Sequence, residues 1–89
     1  RKPEVRYSRC INFTLLAPSI WPLIEAFSKT EKKEGYERYL CKTSQNTGII
    51  YEVFLNKKIA SEKLDVLLGA QALKEQLLAK IAVSEGEII

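Results

Sequence analysis

From Val5 to Ala17 the chain alternates with a period of two. Val5, Tyr7, Ile11, Phe13 and Leu15 fall on one side, and Arg6, Ser8, Cys10, Asn12 and Thr14 on the other. Successive side chains of a strand point to opposite faces of its sheet, so this pattern predicts a strand buried on one face only. The alternation breaks once, where Arg9 stands in the apolar set. Such a strand needs a sheet to join and a layer to cover its apolar side, and the rest of the chain must supply both.

Pro18 and Ser19 end the strand. Ser19 reads as a helix cap, with Pro22 in the first turn where a missing N–H costs nothing. Ile20, Leu23, Ile24 and Phe27 recur at helical spacing, and this helix is expected to run on through the polar Glu31-Lys32-Lys33-Glu34 turn to Gly35. Two extended runs follow, Tyr36 to Thr43 and Ile49 to Asn56, around a turn cluster from Ser44 to Gly48. They predict a β-hairpin. In the second run Ile49, Tyr51, Val53 and Leu55 read as the buried set, leaving Ile50, Glu52 and Phe54 on the other face. A second helix is expected from a Ser61 cap to about Ala82, on the stripe Val66, Ala70, Leu73, Leu77 and Ile81. Residues 84–89 would form a short strand or a tail.

The order β-α-β-β-α(-β) predicts an α+β fold, a small two-layer sandwich with both helices on one face of an antiparallel sheet. A ferredoxin-like split β-α-β is favoured over a cystatin-like helix on a meander. With 89 residues there is room for one domain over 1–89, with 1–4 as an N-terminal arm. In the favoured topology a strand separates Cys10 from Cys41, placing them about 9–10 Å apart. A disulfide spans about 7 Å at most. Free thiols are therefore expected, and with them an intracellular, reducing compartment. The chain begins at Arg1 and has no methionine, which suggests an excised domain or a processed mature chain, an organellar protein being one version.

Function is constrained mostly by what is missing. There is no histidine, which removes the commonest general base, the Ser-His and Cys-His nucleophile pairs and most zinc sites. The two cysteines have no Cys-x-x-Cys spacing, and Glu25, Glu52, Glu62 and Asp65 sit in no recognisable motif. No catalytic residue, metal or cofactor is assigned, and a non-enzymatic role is favoured. No apolar run is long enough to span a membrane. The net charge of +3 permits an anionic partner without requiring one.

The sheet face away from the helices is the expected working surface, formed by Arg6, Ser8, Cys10 and Asn12, by Ile50, Glu52 and Phe54, and by either Arg38, Leu40 and Lys42 or Tyr39 and Cys41, since the pattern of that strand fits both. Together with Arg9 of the basic N-terminal stretch and Trp21 at the helix start, the candidate partner-binding residues are Arg6, Arg9, Trp21, Arg38, Ile50 and Phe54. The favoured function is a non-catalytic protein-interaction module, a subunit or assembly factor. It would bind another protein or a second copy of itself through this face and an edge strand. The alternative is a single-stranded nucleic-acid-binding domain using the same face. Against the RNA-recognition strand pattern, only Gly48, Tyr51 and Phe54 fit, and Glu52 opposes phosphate.

Overall fold

A computed structural model describes residues 5–89, with Phe27 described by its backbone alone. The expected N-terminal arm, 1–4, lies outside the described residues. The elements are β1 (Tyr7–Leu15), a 3-10 turn (Pro18–Ile20), α1 (Trp21–Ser28), β2 (Glu31–Lys33), β3 (Tyr36–Lys42), β4 (Thr47–Phe54), α2 (Lys57–Glu62), α3 (Asp65–Lys74) and β5 (Leu78–Glu87). The strands form one sheet in the order β2-β3-β4-β1-β5, and every pairing is antiparallel. Without the short β2, this is the ferredoxin-like split β-α-β arrangement, with β1 and β4 at the centre. A meander would have kept neighbours in sequence adjacent in the sheet; here β1 lies between β4 and β5.

Three expectations about the elements are corrected. The first helix ends at Ser28, and the polar residues after it form β2, which pairs with Tyr36–Arg38. Gly35, with φ of +81°, turns this hairpin and does not stop a helix. Ser19 lies in the 3-10 turn, and α1 starts from Ile20 without a side-chain cap. The second helical region is two helices: α2 is capped by Asn56, whose side chain accepts from the Ile59 amide, with Ser61 inside the helix and not at its cap, and α3 starts from Leu64 without a side-chain cap. It stops at Lys74, and residues from Leu78 onward are the edge strand β5. Leu73, Leu77 and Ile81 share a helical stripe, but Ile81 and Val83 also alternate with Lys80, Ala82 and Ser84. Pairing with β1 resolves the ambiguity in favour of the strand. Tertiary contact outweighs a weak local preference here.

The core lies between the sheet and the helices. Ile11, Phe13 and Leu15 of β1 and Ile50 of β4 meet Trp21 and Ile24 of α1, Val66 and Ala70 of α3, and Leu78. The register places Phe13 opposite Gly48, and the missing side chain there makes room for the edge-to-face pair of Phe13 and Trp21, with ring centroids 5.6 Å apart. A Cβ on residue 48 would lie 2.7 Å from both rings and 2.8 Å from the Cys41 carbonyl oxygen. Among the described residues no helix is long and apolar enough to cross a membrane.

Gly48→Ala should therefore cost about 1–3 kcal/mol through overpacking, read as a lower urea midpoint. An unchanged midpoint would mean that the aromatic pair can yield.

Candidate functional site

Antiparallel register brings one residue from each strand into a single row across the helix-covered side of the sheet. Glu85 of β5 lies opposite Arg9 of β1, Arg9 opposite Glu52 of β4, Glu52 opposite Arg38 of β3, and Arg38 opposite Glu31 of β2. The charges alternate in sign from edge to edge. Arg9 Nε donates to Glu85 Oε2 at 3.1 Å, and Arg9 Nη1 lies 3.6 Å from Glu52 Oε1. Tyr36 bridges the next step: its hydroxyl donates to Glu52 Oε2 at 2.8 Å and accepts from Arg38 Nη1 at 2.9 Å. Arg38 Nη2 donates to Glu31 Oε2 at 3.0 Å, and Lys33 pairs with the other oxygen of Glu31 at 2.7 Å.

Two members of the row are deeply buried, Arg9 at 2% exposed and Glu52 at 1%. Arg9 also donates to the Ala60 and Lys63 carbonyl oxygens, at 2.8 and 2.9 Å, and stacks its guanidinium over Phe54. It thereby ties the region where α2 ends to the sheet. Glu52 Oε1 accepts no hydrogen bond among the described residues. Burial pushes the Glu52 carboxyl above the usual glutamate range, more than Tyr36, Arg9 and Arg38 pull it down. The Tyr36 phenol is also raised, by burial and by the carboxylate beside it, while Lys33 and Arg38 draw Glu31 down. A cavity of about 510 Å³ opens over the β3–β4 part of the row, beneath α2 and the start of α3. Glu52, Tyr36, Arg38, Ile59, Lys63 and Val66 are among its lining residues.

The opposite face of the sheet is uncovered. Its residues are Ser8, Cys10, Asn12 and Thr14 from β1; Thr47, Ile49, Tyr51 and Val53 from β4; Glu37, Tyr39 and Cys41 from β3; and Lys80, Ala82, Ser84 and Gly86 from β5, as the pairings require. On this face Lys32 of β2 lies opposite Glu37, and the charged residues within the four longer strands are Glu37 and Lys80. They sit at diagonally opposite corners, Glu37 in the Ser8 row and Lys80 in the Thr14 row. Cys10 and Cys41 are both free and have β4 between them.

The predicted site residues are therefore split between the two sides. Arg6 is exposed just before β1, on the open side by alternation. Ile50 (1% exposed) and Phe54 (0%) were expected on the open face, but they lie under the helices, because β4 pairs with β1 in the register that sets Ile50 beside Ile11. Arg38 shares their side of the sheet and belongs to the charged row. Arg9 is an internal tie and not part of a basic arm. Trp21 packs into the core, its Nε1 donating to the Gln45 carbonyl oxygen at 2.6 Å. Of the two alternatives for β3, the register puts Tyr39 and Cys41 on the open face; sequence reasoning overlooked Tyr36 and Tyr51 as site residues, and Glu52 as a partner of Arg9. A signal for the last was present: each charge alone interrupts an apolar alternation, and the two have opposite sign.

Removing Arg9 leaves Glu52 buried without its cation and strands two carbonyls. Arg9→Met should cost about 3–5 kcal/mol, and adding Glu52→Leu should cost less than the two single effects together. Strict additivity in urea denaturation would show that the pair is uncoupled. The raised carboxyl gives a second expectation. Relative to an unperturbed glutamate, Glu52 contributes stability below its unfolded pKa of about 4.3 and loses it as pH rises through the folded value. The stability of the wild type relative to Glu52→Gln should thus fall as pH rises above the unfolded value of about 4.3 and through the higher folded one. A relative gain over that range would mean a depressed carboxyl instead.

No protein-family model matches this sequence, and no curated protein sequence compared with it matches. Among solved structures, the chain is similar to NE2512 from Nitrosomonas europaea, a protein of unknown function, over 99% of this chain and 93% of that one. The TM-score is 0.63 and the identity 15%. It also aligns with SnoaB, a cofactor-independent oxygenase from Streptomyces nogalater, over 96% of this chain and 92% of that one, with a TM-score of 0.47 and 17% identity. The first likeness speaks for the fold alone, and neither carries an activity across.

Proposed function

We propose that the chain is a non-catalytic interaction module whose open sheet face docks a protein, and that this protein is a second copy of itself. The supporting observation is the make-up of that face. Tyr39, Ile49, Tyr51 and Val53 form its apolar centre, flanked by small polar residues, with charge at its margins: Glu37 with Lys32 opposite it at one corner, Lys80 at the other, and Arg6 just before β1. A sheet with apolar residues on both sides has its second side covered when it works. In an isologous pair the same patch serves both copies. A two-fold axis lying in the face and crossing the Glu37–Lys80 diagonal at a right angle sets each Glu37 against the Lys80 of the other copy. Glu37, which has Lys32 opposite it within its own chain, would meet Lys80 there, and the contact would fix the orientation of the pair more than its strength.

A nucleic-acid platform would need several cations among the aromatics. Arg9 and Arg38 lie on the other side of the sheet, held in ion pairs, which favours a protein partner. The free thiols fit a reducing compartment.

Size-exclusion chromatography with light scattering tests the reading. The wild type should run as a dimer, and Tyr51→Lys as a monomer with unchanged circular dichroism. Glu37→Lys should weaken the dimer, and adding Lys80→Glu should restore it. A monomeric wild type at high micromolar concentration, or a dimer indifferent to Tyr51→Lys, would remove this face as the interface.

A further inference from the structure

Both cysteines of the chain, Cys10 and Cys41, are free and stand on the open face of the sheet. They cannot meet within one chain. β4 lies between them, and they differ by one row, Cys10 beside Tyr51 and Cys41 beside Ile49. With strands about 4.8 Å apart and same-face rows about 6.8 Å apart, their Cα atoms are about 12 Å apart, beyond the reach of a disulfide. A disulfide to either one must come from another molecule.

Their placement is tied to the charged corners. The line from Glu37 to Lys80 crosses three strand intervals and three rows, and the line from Cys41 to Cys10 crosses two intervals and one row in the opposite sense. At the spacings of a regular sheet the two lines are perpendicular, and the second passes about 1–2 Å from the midpoint of the first. A two-fold axis that sets Glu37 against Lys80 therefore runs along the cysteine line. A side chain on such an axis meets its own counterpart. Cys10 faces the Cys10 of the second copy and Cys41 its Cys41, with Ile49 between them close to the same line. Tyr51 lies off the axis and is carried onto Asn12 of the other copy, so the bulky side chain does not wedge the sheets apart at the thiols. Face-to-face sheets lie about 10 Å apart, a spacing that the inter-sheet disulfide of immunoglobulin domains bridges.

On the reading that a second copy covers this face, we infer that the pair is locked by disulfides between like cysteines, Cys10 to Cys10 and Cys41 to Cys41, when a low-molecular-weight disulfide is the oxidant. The thiolate of one copy attacks the small disulfide, forming a mixed disulfide and releasing one small thiol. The facing thiolate of the second copy then attacks the protein sulfur of the mixed disulfide. The bond between the copies forms and the second small thiol leaves, each cysteine proton ending on a released thiol. The pair is held by contact alone under reducing conditions and covalently under oxidising ones.

The full chain is first measured in dithiothreitol by light scattering, then treated with oxidised glutathione and run on a non-reducing gel. The wild type should be a dimer in reductant and become a covalent dimer that dithiothreitol reverses. Cys10→Ser and Cys41→Ser should each still cross-link, because each keeps one like pair, and the double variant should not. Tyr51→Lys, whose thiols meet only by collision, should cross-link about a hundredfold more slowly. A dimer in reductant that yields only glutathionylated chains overturns the inference and leaves the dimer standing; a monomer in reductant removes both. Loss of the cross-link in either single variant overturns it, since unlike cysteines or another axis would then be in contact. Cross-linking of Tyr51→Lys at the wild-type rate overturns it as well.

Discussion

One row of alternating charges, Glu85, Arg9, Glu52, Arg38 and Glu31, crosses all five strands on the covered side of the sheet. A glutamate as buried as Glu52 is tolerable only with compensation close by, because desolvating a lone carboxylate costs several kcal/mol. Arginines on both neighbouring strands and a tyrosine hydroxyl supply it. The compensation is specific to register. Slipping β1 against β4 by one residue would send Arg9 to the open face and leave Glu52 without its cation. Hydrophobic burial settles which side of β1 is covered; the row settles which side of β4 goes with it.

The same row explains where the sequence could be read and where it could not. The β1 alternation was legible because the strand is apolar on one side and polar on the other. β4 was not, since Ile49, Tyr51 and Val53 make as good an apolar set as Ile50 and Phe54, and Glu52 makes the second set look solvent-facing. Only the partner strand decides, and Arg9 is the residue that decides it. Gly48 adds to the choice, because Phe13 and Trp21 need its empty side. The split β-α-β order and the separation of the two cysteines were legible, as both follow from element order alone. The limits of the helices were not. β2 has three residues and is made by its pairing with β3, and β5 carries a helical stripe that pairing with β1 overrides. The candidate site was hardest to read, because both the uncovered face and the cavity depend on register.

The covered and uncovered sides divide the chemistry. Buried charge, the bridging phenol and the cavity lie under α2 and α3, while the other side carries its charge at the margins, Lys32 and Glu37 at one corner, Lys80 at the other and Arg6 before β1. Alternate residues of β3 and β4 serve the two sides.

The position of β1 at the centre of the sheet bears on how the protein reaches its fold. Its neighbours are β4 and β5, and Tyr7 finds Glu85 78 positions further along the chain. Contacts of such long sequence separation require closing most of the chain as a loop before they contribute anything, which slows folding. On the ribosome β1 emerges before either of its neighbours, so one of its edges waits for β4 and the other for β5. Its apolar residues Ile11, Phe13 and Leu15 are exposed to other nascent chains throughout that interval. Arg9, a charge in the middle of that apolar side, also interrupts it against premature pairing with the wrong strand.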